Sequence, residues 1–451
     1  MRPPRTDRGR LLLVLGLAAA VTAFTATVPL LRDWFDLRVY YGTIDTWIHH
    51  GGRIYDYRVP GTPYGFTYPP FAAVAMLPMA LLSLRGAITV ALLLNLVALA
   101  VVLRLLAGRA WRRYGWYGCA LAACVLALFE PLRDTLSFGQ VNLLLLALVL
   151  LDGRLLATGR GRWAGAGIGL AAAVKLTPAL FIGLLLVARR WRAAAVATAV
   201  AVGATALAAW AAPGASRFYW TEAMWDTTRV GRLDYVSNQS LQGVLARLDV
   251  HSREVWAVVA LSVLCVWAAR AHRAVAAGDW QAAFALTGLT ACLVSPITWV
   301  HHLVWLLPSF AVLLRTGYPR VAGALYAVMC TSVVWLWFHD ASGVDGFIGS
   351  NTYAWITLGL LLWLPSGQLS PARRSLNPTI SAAAPAPRAP AAAINAASGQ
   401  PGPPPRGARD AAAGSAAGPG GGSARSASSE PTGSTRPAAS NPQSSSSRAS
   451  S

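Results

Sequence analysis

Apolar stretches of roughly 15 to 25 residues, separated by short basic connections, recur from residue 11 to residue 365 and constrain this chain more than any other feature. A water-soluble core has no room for so many such runs. With 55% hydrophobic and only 12% charged residues, the composition points to an all-α integral membrane protein. The net charge of +20 resides in arginines of the short connections and the last part of the chain, which suits anionic lipid and cytoplasmic loops, not a nucleic-acid groove. Cys119, Cys124, Cys265, Cys292 and Cys330 lack metal-site spacing and read as small apolar fillers.

Placing every basic connection on the cytoplasmic side sets a topology. These connections are the N-terminus, 109–113 (RAWRR), 154–162, 189–192 (RRWR), 270–273 (RAHR), 315–320 and the tail. A first, uncleaved span at 11–31 runs outward and 86–106 returns. The run 71–84, led by YPP and holding Pro78, is only about 14 residues long and reads as an interfacial or re-entrant helix, not a span. Further outward spans are expected at 116–129, 163–174, 193–212, 282–297 and 321–338, with returns at 141–151, 178–187, 255–269, 303–314 and 347–364. The total is about twelve, with both termini cytoplasmic. Between Arg162 and Arg189 two short helices must meet near Lys175-Leu176-Thr177-Pro178, where proline is a natural breaking point.

The membrane domain is expected over 1–365, with a first outer loop at 32–84, a second at 213–254 and a third near 339–351. From 366 to 451 the sequence is Ala, Pro, Gly and Ser with scattered arginines, too poor in large apolar groups for a core; a disordered cytoplasmic tail is expected.

Chemistry is sought in the outer segments. The first carries Asp33, Asp36, Asp45 and Asp56 among closely spaced aromatic residues, a mixture that suits a sugar and also an interfacial belt. Asp36 lies just beyond the first span, where desolvation would raise its pKa and fit it for general-base work. Asp33 competes for that role, and the pair could instead hold a divalent ion. Lys175 is the only lysine of the chain and sits inside an apolar run. Its ammonium either snorkels to headgroups or meets an anion such as a lipid phosphate.

Three polar groups complete the inventory. SPITWVHH puts His301 and His302 at the outer end of a span. EPLRD at 130–134, read as internal ion pairing and capping, precedes FGQVN with Gln140 and Asn142. SNQSLQG, with Asn238 and Gln239, suits sugar hydroxyls or a helix cap.

Taken together, DLRVYY (36–41), TYPPFAAVAMLP (67–78), FGQVNLLLLALVLLD (138–152), AAAVKLTP (171–178), NQSLQG (238–243) and SPITWVHHLVWLLP (295–308) resemble glycosyltransferase family 87. These are the actinobacterial polyprenol-phosphate-mannose-dependent α-(1,2)-mannosyltransferases of the GT-C membrane fold. The resemblance implies a polyprenyl phosphate mannose donor and a mannoside glycolipid or lipoglycan acceptor, used at the outer face of the plasma membrane. It implies Asp36 as general base, His301 or His302 beside the donor phosphate, and Lys175 as a further phosphate contact. Tyr40, Tyr41, Tyr68, Gln140, Asn142, Asn238 and Gln239 are expected to bind substrate. No cofactor, metal or nucleic acid is implied. Two alternatives stay open: another polyprenyl-linked sugar such as arabinofuranose, and a lipid-linked sugar transporter with inverted repeats.

Overall fold

The computed structural model describes residues 6–27, 33–159 and 161–367, all within the compact unit Met1–Ala382. The expected tail, apart from Ser366 and Gly367, lies outside the described residues, as do the end of the first expected span and Arg32. Among the described residues the regular structure is helical; the one β feature is an isolated antiparallel bridge between Arg58 and Gly65.

Three helices are long and apolar enough to cross a bilayer: Leu84–Ala107, Trp191–Ala211 and Arg253–Ala276. At about 1.5 Å per residue each reaches roughly 30 Å or more. They fall on the spans expected at 86–106, 193–212 and 255–269. Only 22–28% of their most apolar stretch is buried, so large side chains such as Leu93, Val97, Val202, Val258 and Leu261 face outward. So much exposed apolar surface requires lipid around it.

The other apolar runs form shorter or interrupted helices. Gly115–Leu126 is followed, after an 84° bend, by Glu130–Phe138, and this bent pair is a fourth candidate span. The run at 321–338 divides into Pro319–Cys330 and a 3₁₀ turn, Val333–Trp337, across a left-handed Ser332. Similarly, 347–364 divides into Gly343–Ser350 and Thr352–Trp363. Prolines explain several starts: Pro70, Pro131, Pro213 and Pro319 all stand in first turns, where a missing N–H costs nothing. Trp280–Val294 falls on the span expected at 282–297 and is buried along almost its whole length, so its apolar side chains face protein.

The break at Lys175 occurs as the sequence predicts. Ala166–Val174 ends there, a 3₁₀ turn at Thr177–Ala179 follows Leu176, and Leu180–Val187 continues. The first half-helix is clamped by small residues. A Cβ on Gly169 would lie 2.3 Å from the Ala197 carbonyl oxygen of Trp191–Ala211, and one on Gly167 would lie 2.6 Å from the Leu148 carbonyl oxygen of Asn142–Thr158. Asp152 Oδ2 also accepts from the Ile168 N–H at 2.7 Å. Because both obstacles at these glycines are backbone, neither can swing aside. Gly169→Val is therefore expected to lower stability by about 1–3 kcal/mol, read as an earlier thermal transition of the detergent-solubilised protein. An unchanged transition would show that this clamp does not hold the Lys175 break.

Candidate active site

Five of the segments that line one cavity of about 1110 Å³ bring the expected site residues together. They are the start of the Phe35–His49 helix, the stretch before Pro70–Met76, the loop between Glu130–Phe138 and Asn142–Thr158, the Lys175 break, and the turn at Trp299–His302. Trp34 adopts a left-handed conformation before the first of these helices, and its N–H donates to Ser137 O at 3.0 Å. That bond ties the start of the Asp36 helix to the end of Glu130–Phe138. Gly139 then turns the chain at φ 71°, where a Cβ would meet Leu37 at 2.6 Å. Gln140 follows directly and reaches Asp36.

A directed series of hydrogen bonds joins the carboxylate to the lysine. Gln140 Nε2 donates to Asp36 Oδ2 at 2.7 Å, and Tyr68 Oη donates to Gln140 Oε1 at 2.9 Å. Tyr68 Oη in turn accepts from Lys175 Nζ at 3.2 Å and from Tyr40 Oη at 3.0 Å. One hydroxyl proton and two lone pairs are thereby all used, which fixes the Gln140 amide with its nitrogen toward Asp36. Lys175 Nζ also donates to Asn142 Oδ1 at 3.0 Å and lies 2.8 Å from His302 Nε2. The neutral amide and phenol stand between acid and base, so Asp36 and Lys175 share a cavity without pairing directly.

His302 carries further information. Its Nδ1 accepts from the Trp299 N–H at 3.2 Å, which leaves the single proton of a neutral imidazole on Nε2, facing Lys175. Such a contact suits a lysine in its uncharged amine form. Electrostatics agrees. In the connection between its two half-helices, Lys175 is brought down to about 7 by burial, opposed by Asp36 and Cys292. His302 is held well below its ordinary range by burial and then by Lys175 and His301. Asp36 opens onto the cavity yet is enclosed by protein, and burial raises it to about 6 against the Gln140 hydrogen bond and the Lys175 charge.

The other singled-out residues divide clearly. His301 borders the cavity, packs edge-on against Phe138 and His302, and its carbonyl accepts from Thr135 and Asn142. Tyr41 is turned away, donating to Leu82 O at 3.1 Å. Asn238 and Gln239 are fully buried and engaged by protein groups: Asn238 with Leu233, Pro296 and Thr298, and Gln239 with Val236, Ser350 and Ala354. Ser240 of the same motif caps Leu241–Arg247 through Gly243 N. Four expected substrate contacts, Tyr41, Asn142, Asn238 and Gln239, do not line the cavity; Asn142 is fully buried behind Lys175, and the other three hold the framework.

Asp33 does not join Asp36. It precedes the helix, is exposed, and pairs with Arg38 at 2.8 Å, so the two carboxylates form no ion site. Glu130 accepts from Trp335 Nε1 and Tyr353 Oη, while Arg133 donates to Ser332 Oγ; these are internal hydrogen bonds to neutral side chains, not the ion pairing and capping expected of EPLRD, and among the described residues no side chain caps this helix. Sequence reasoning missed that Gln140 and Tyr68 carry the connection. A glutamine after a glycine and a tyrosine before two prolines have many ordinary roles, and no spacing distinguishes this one.

A carboxylate and a buried lysine joined by a neutral wire inside a lipid-embedded helical bundle suit transfer of a group from an anionic leaving group. Comparison with known proteins gives that chemistry a family. The model for Glycosyltransferase family 87 matches residues 66–296, and the chain belongs to this family. It is 35% identical over 329 residues to a polyprenol-phosphate-mannose-dependent alpha-(1-2)-phosphatidylinositol pentamannoside mannosyltransferase of Mycolicibacterium smegmatis, covering 70% of this chain and 77% of that one. A protein of the same description from Mycobacterium tuberculosis is 32% identical over 68% of this chain and 72% of its own. A polyprenol-phosphate-mannose-dependent alpha-(1-2)-phosphatidylinositol mannoside mannosyltransferase of Mycobacterium tuberculosis is 34% identical over 67% and 72%. No solved structure matches the chain.

Proposed function

We propose that this glycosyltransferase moves mannose from polyprenyl phosphate mannose to the 2-hydroxyl of a phosphatidylinositol mannoside or related lipoglycan, forming an α-(1,2) linkage with inversion. The observation that carries the reading is the hydrogen-bonded connection from Asp36 to Lys175 within one cavity. The relatives supply the donor and acceptor classes. The chain crosses the plasma membrane about twelve times, its termini cytoplasmic, and the cavity opens on the outer side, where lipid-linked donor and acceptor meet.

The chemistry follows from the residues. Gln140 occupies Asp36 Oδ2, leaving Oδ1 to remove the proton from the acceptor hydroxyl. The hydroxyl oxygen attacks the anomeric carbon as the bond to the phosphate oxygen breaks on the opposite face. Polyprenyl phosphate leaves with both electrons of that bond. An approaching phosphate favours uptake of a proton from solvent by Lys175 Nζ, which frees the neighbouring His302 Nε2–H to donate to the phosphate as its charge develops. A β-linked donor thus gives an α product.

A pH profile follows. Asp36 must be ionised, so kcat/KM for the donor falls as pH drops through about 6. Lys175 must be protonated, so it also falls as pH rises through about 7. The expected profile is a bell with its maximum between these values, and the alkaline limb of kcat moves higher because the bound phosphate favours the ammonium. A flat profile from pH 5 to 8 would contradict these assignments. Donor identity is tested by presenting the purified protein with labelled polyprenyl phosphate mannose and polyprenyl phosphate arabinofuranose, followed by linkage analysis. An α-(1,2)-mannoside is expected; arabinofuranosyl transfer, or no new glycosidic bond with either donor, would overturn the reading.

A further inference from the structure

Arg229 is a second cation on the cavity wall, and it shares no hydrogen bond with the Lys175 network. It ends the 3₁₀ turn Thr227–Arg229, and its guanidinium lies over the Phe218 ring at 5.2 Å. Phe218 is packed against Tyr55, which stacks on Tyr219, so the support is built from aromatic side chains. Arg229 borders both the main cavity and an adjoining one of about 210 Å³, whose wall adds Arg58 and Thr228. Its Nε is buried and has no hydrogen-bond acceptor among the described residues. Arg232, also on the wall of the main cavity, is instead satisfied by a two-point contact with Asp234 at 3.1 and 2.6 Å. Asp226, the carboxylate of the same turn, has its Oδ1 engaged by Thr228 N and Oγ1 at 3.0 and 2.6 Å.

We infer that Arg229 binds the phosphodiester of the lipid acceptor, at a site separate from the Lys175–His302 contact for the donor phosphate. The inference rests on the transfer reading above. Arg229 borders the open cavity, and a guanidinium fork fits the two free oxygens of a phosphodiester. The donor phosphate must lie at the anomeric carbon, next to the groups that serve Asp36. A lipid mannoside whose sugar sits at Asp36 carries its own phosphate elsewhere in the cavity, and of the two arginines on the main wall Arg232 is held by Asp234, which leaves Arg229.

The test compares a phosphatidylinositol mannoside with uncharged octyl α-mannoside as acceptors. The ratio of their kcat/KM values is expected to fall about tenfold in Arg229→Gln and about threefold in Arg229→Lys, which keeps the charge without the fork. An unaltered ratio in Arg229→Gln, or a raised donor KM with the ratio unaltered, would overturn the assignment. If the native protein transfers mannose to neither acceptor, the transfer reading falls, and direct binding of dioctanoyl phosphatidylinositol decides the site. Binding about tenfold weaker to Arg229→Gln than to the native protein upholds an anion site, while equal binding removes it.

Discussion

Asp36→Asn is expected to lower kcat for mannosyl transfer by about 10²–10⁴ while changing the donor KM little, since general-base catalysis is worth that much. Asparagine has the shape of aspartate, and its carbonyl oxygen can still accept from Gln140 Nε2, so the wire to Lys175 stays in place. What is lost is the lone pair that takes the proton. The measurement is a radiolabelled transfer assay on purified variant at matched protein level, with donor binding determined separately. Transfer within a few-fold of native would remove Asp36 from the proton step. Asp134, which also borders the cavity, would then be the next carboxylate to examine.

Lys175→Met carries the second large effect. The side chain keeps much of its length but loses every donor, leaving Asn142 Oδ1 and His302 Nε2 without their partner. Because the ammonium acts on charge that develops as the phosphate departs, kcat is expected to fall about 10²–10³ with a raised donor KM. Lys175→Arg should recover only part of this, since a planar guanidinium does not fit among Tyr68, Asn142 and His302 as a compact ammonium does. The arginine variant should also lose the alkaline limb of the pH profile, because its guanidinium does not deprotonate in that range. A Lys175→Met enzyme with native kcat would show that the leaving phosphate is stabilised elsewhere.

The parts of the fold that read directly from sequence are those where one physical demand dominates. Leu84–Ala107, Trp191–Ala211 and Arg253–Ala276 face lipid, and their hydropathy records it. The break at Lys175 was legible because a proline and a lone ammonium interrupt an apolar run. The burial of Trp280–Val294 and the division of the run at 347–364 were not, since an apolar residue looks the same in sequence against protein as against lipid. At the site, Asp36, Lys175 and the His301-His302 pair stood out as charged or titratable groups in apolar surroundings, with the choice between the two histidines left open. Gln140 and Tyr68 were expected only as substrate contacts, because the connection they make between Asp36 and Lys175 depends on what lies across a gap of many residues. Asn238 and Gln239 illustrate the converse: polar side chains in an expected outer loop serve the backbone carbonyls of neighbouring segments.

The most direct measurement is a density map of the Asp36→Asn variant with polyprenyl phosphate mannose and a phosphatidylinositol mannoside bound together. The donor phosphate should contact Lys175 Nζ and His302 Nε2, and the acceptor 2-hydroxyl should sit beside residue 36 at about 3–3.5 Å from the anomeric carbon. A donor phosphate bound away from Lys175, or an acceptor hydroxyl nearer another carboxylate than residue 36, would contradict the mechanism.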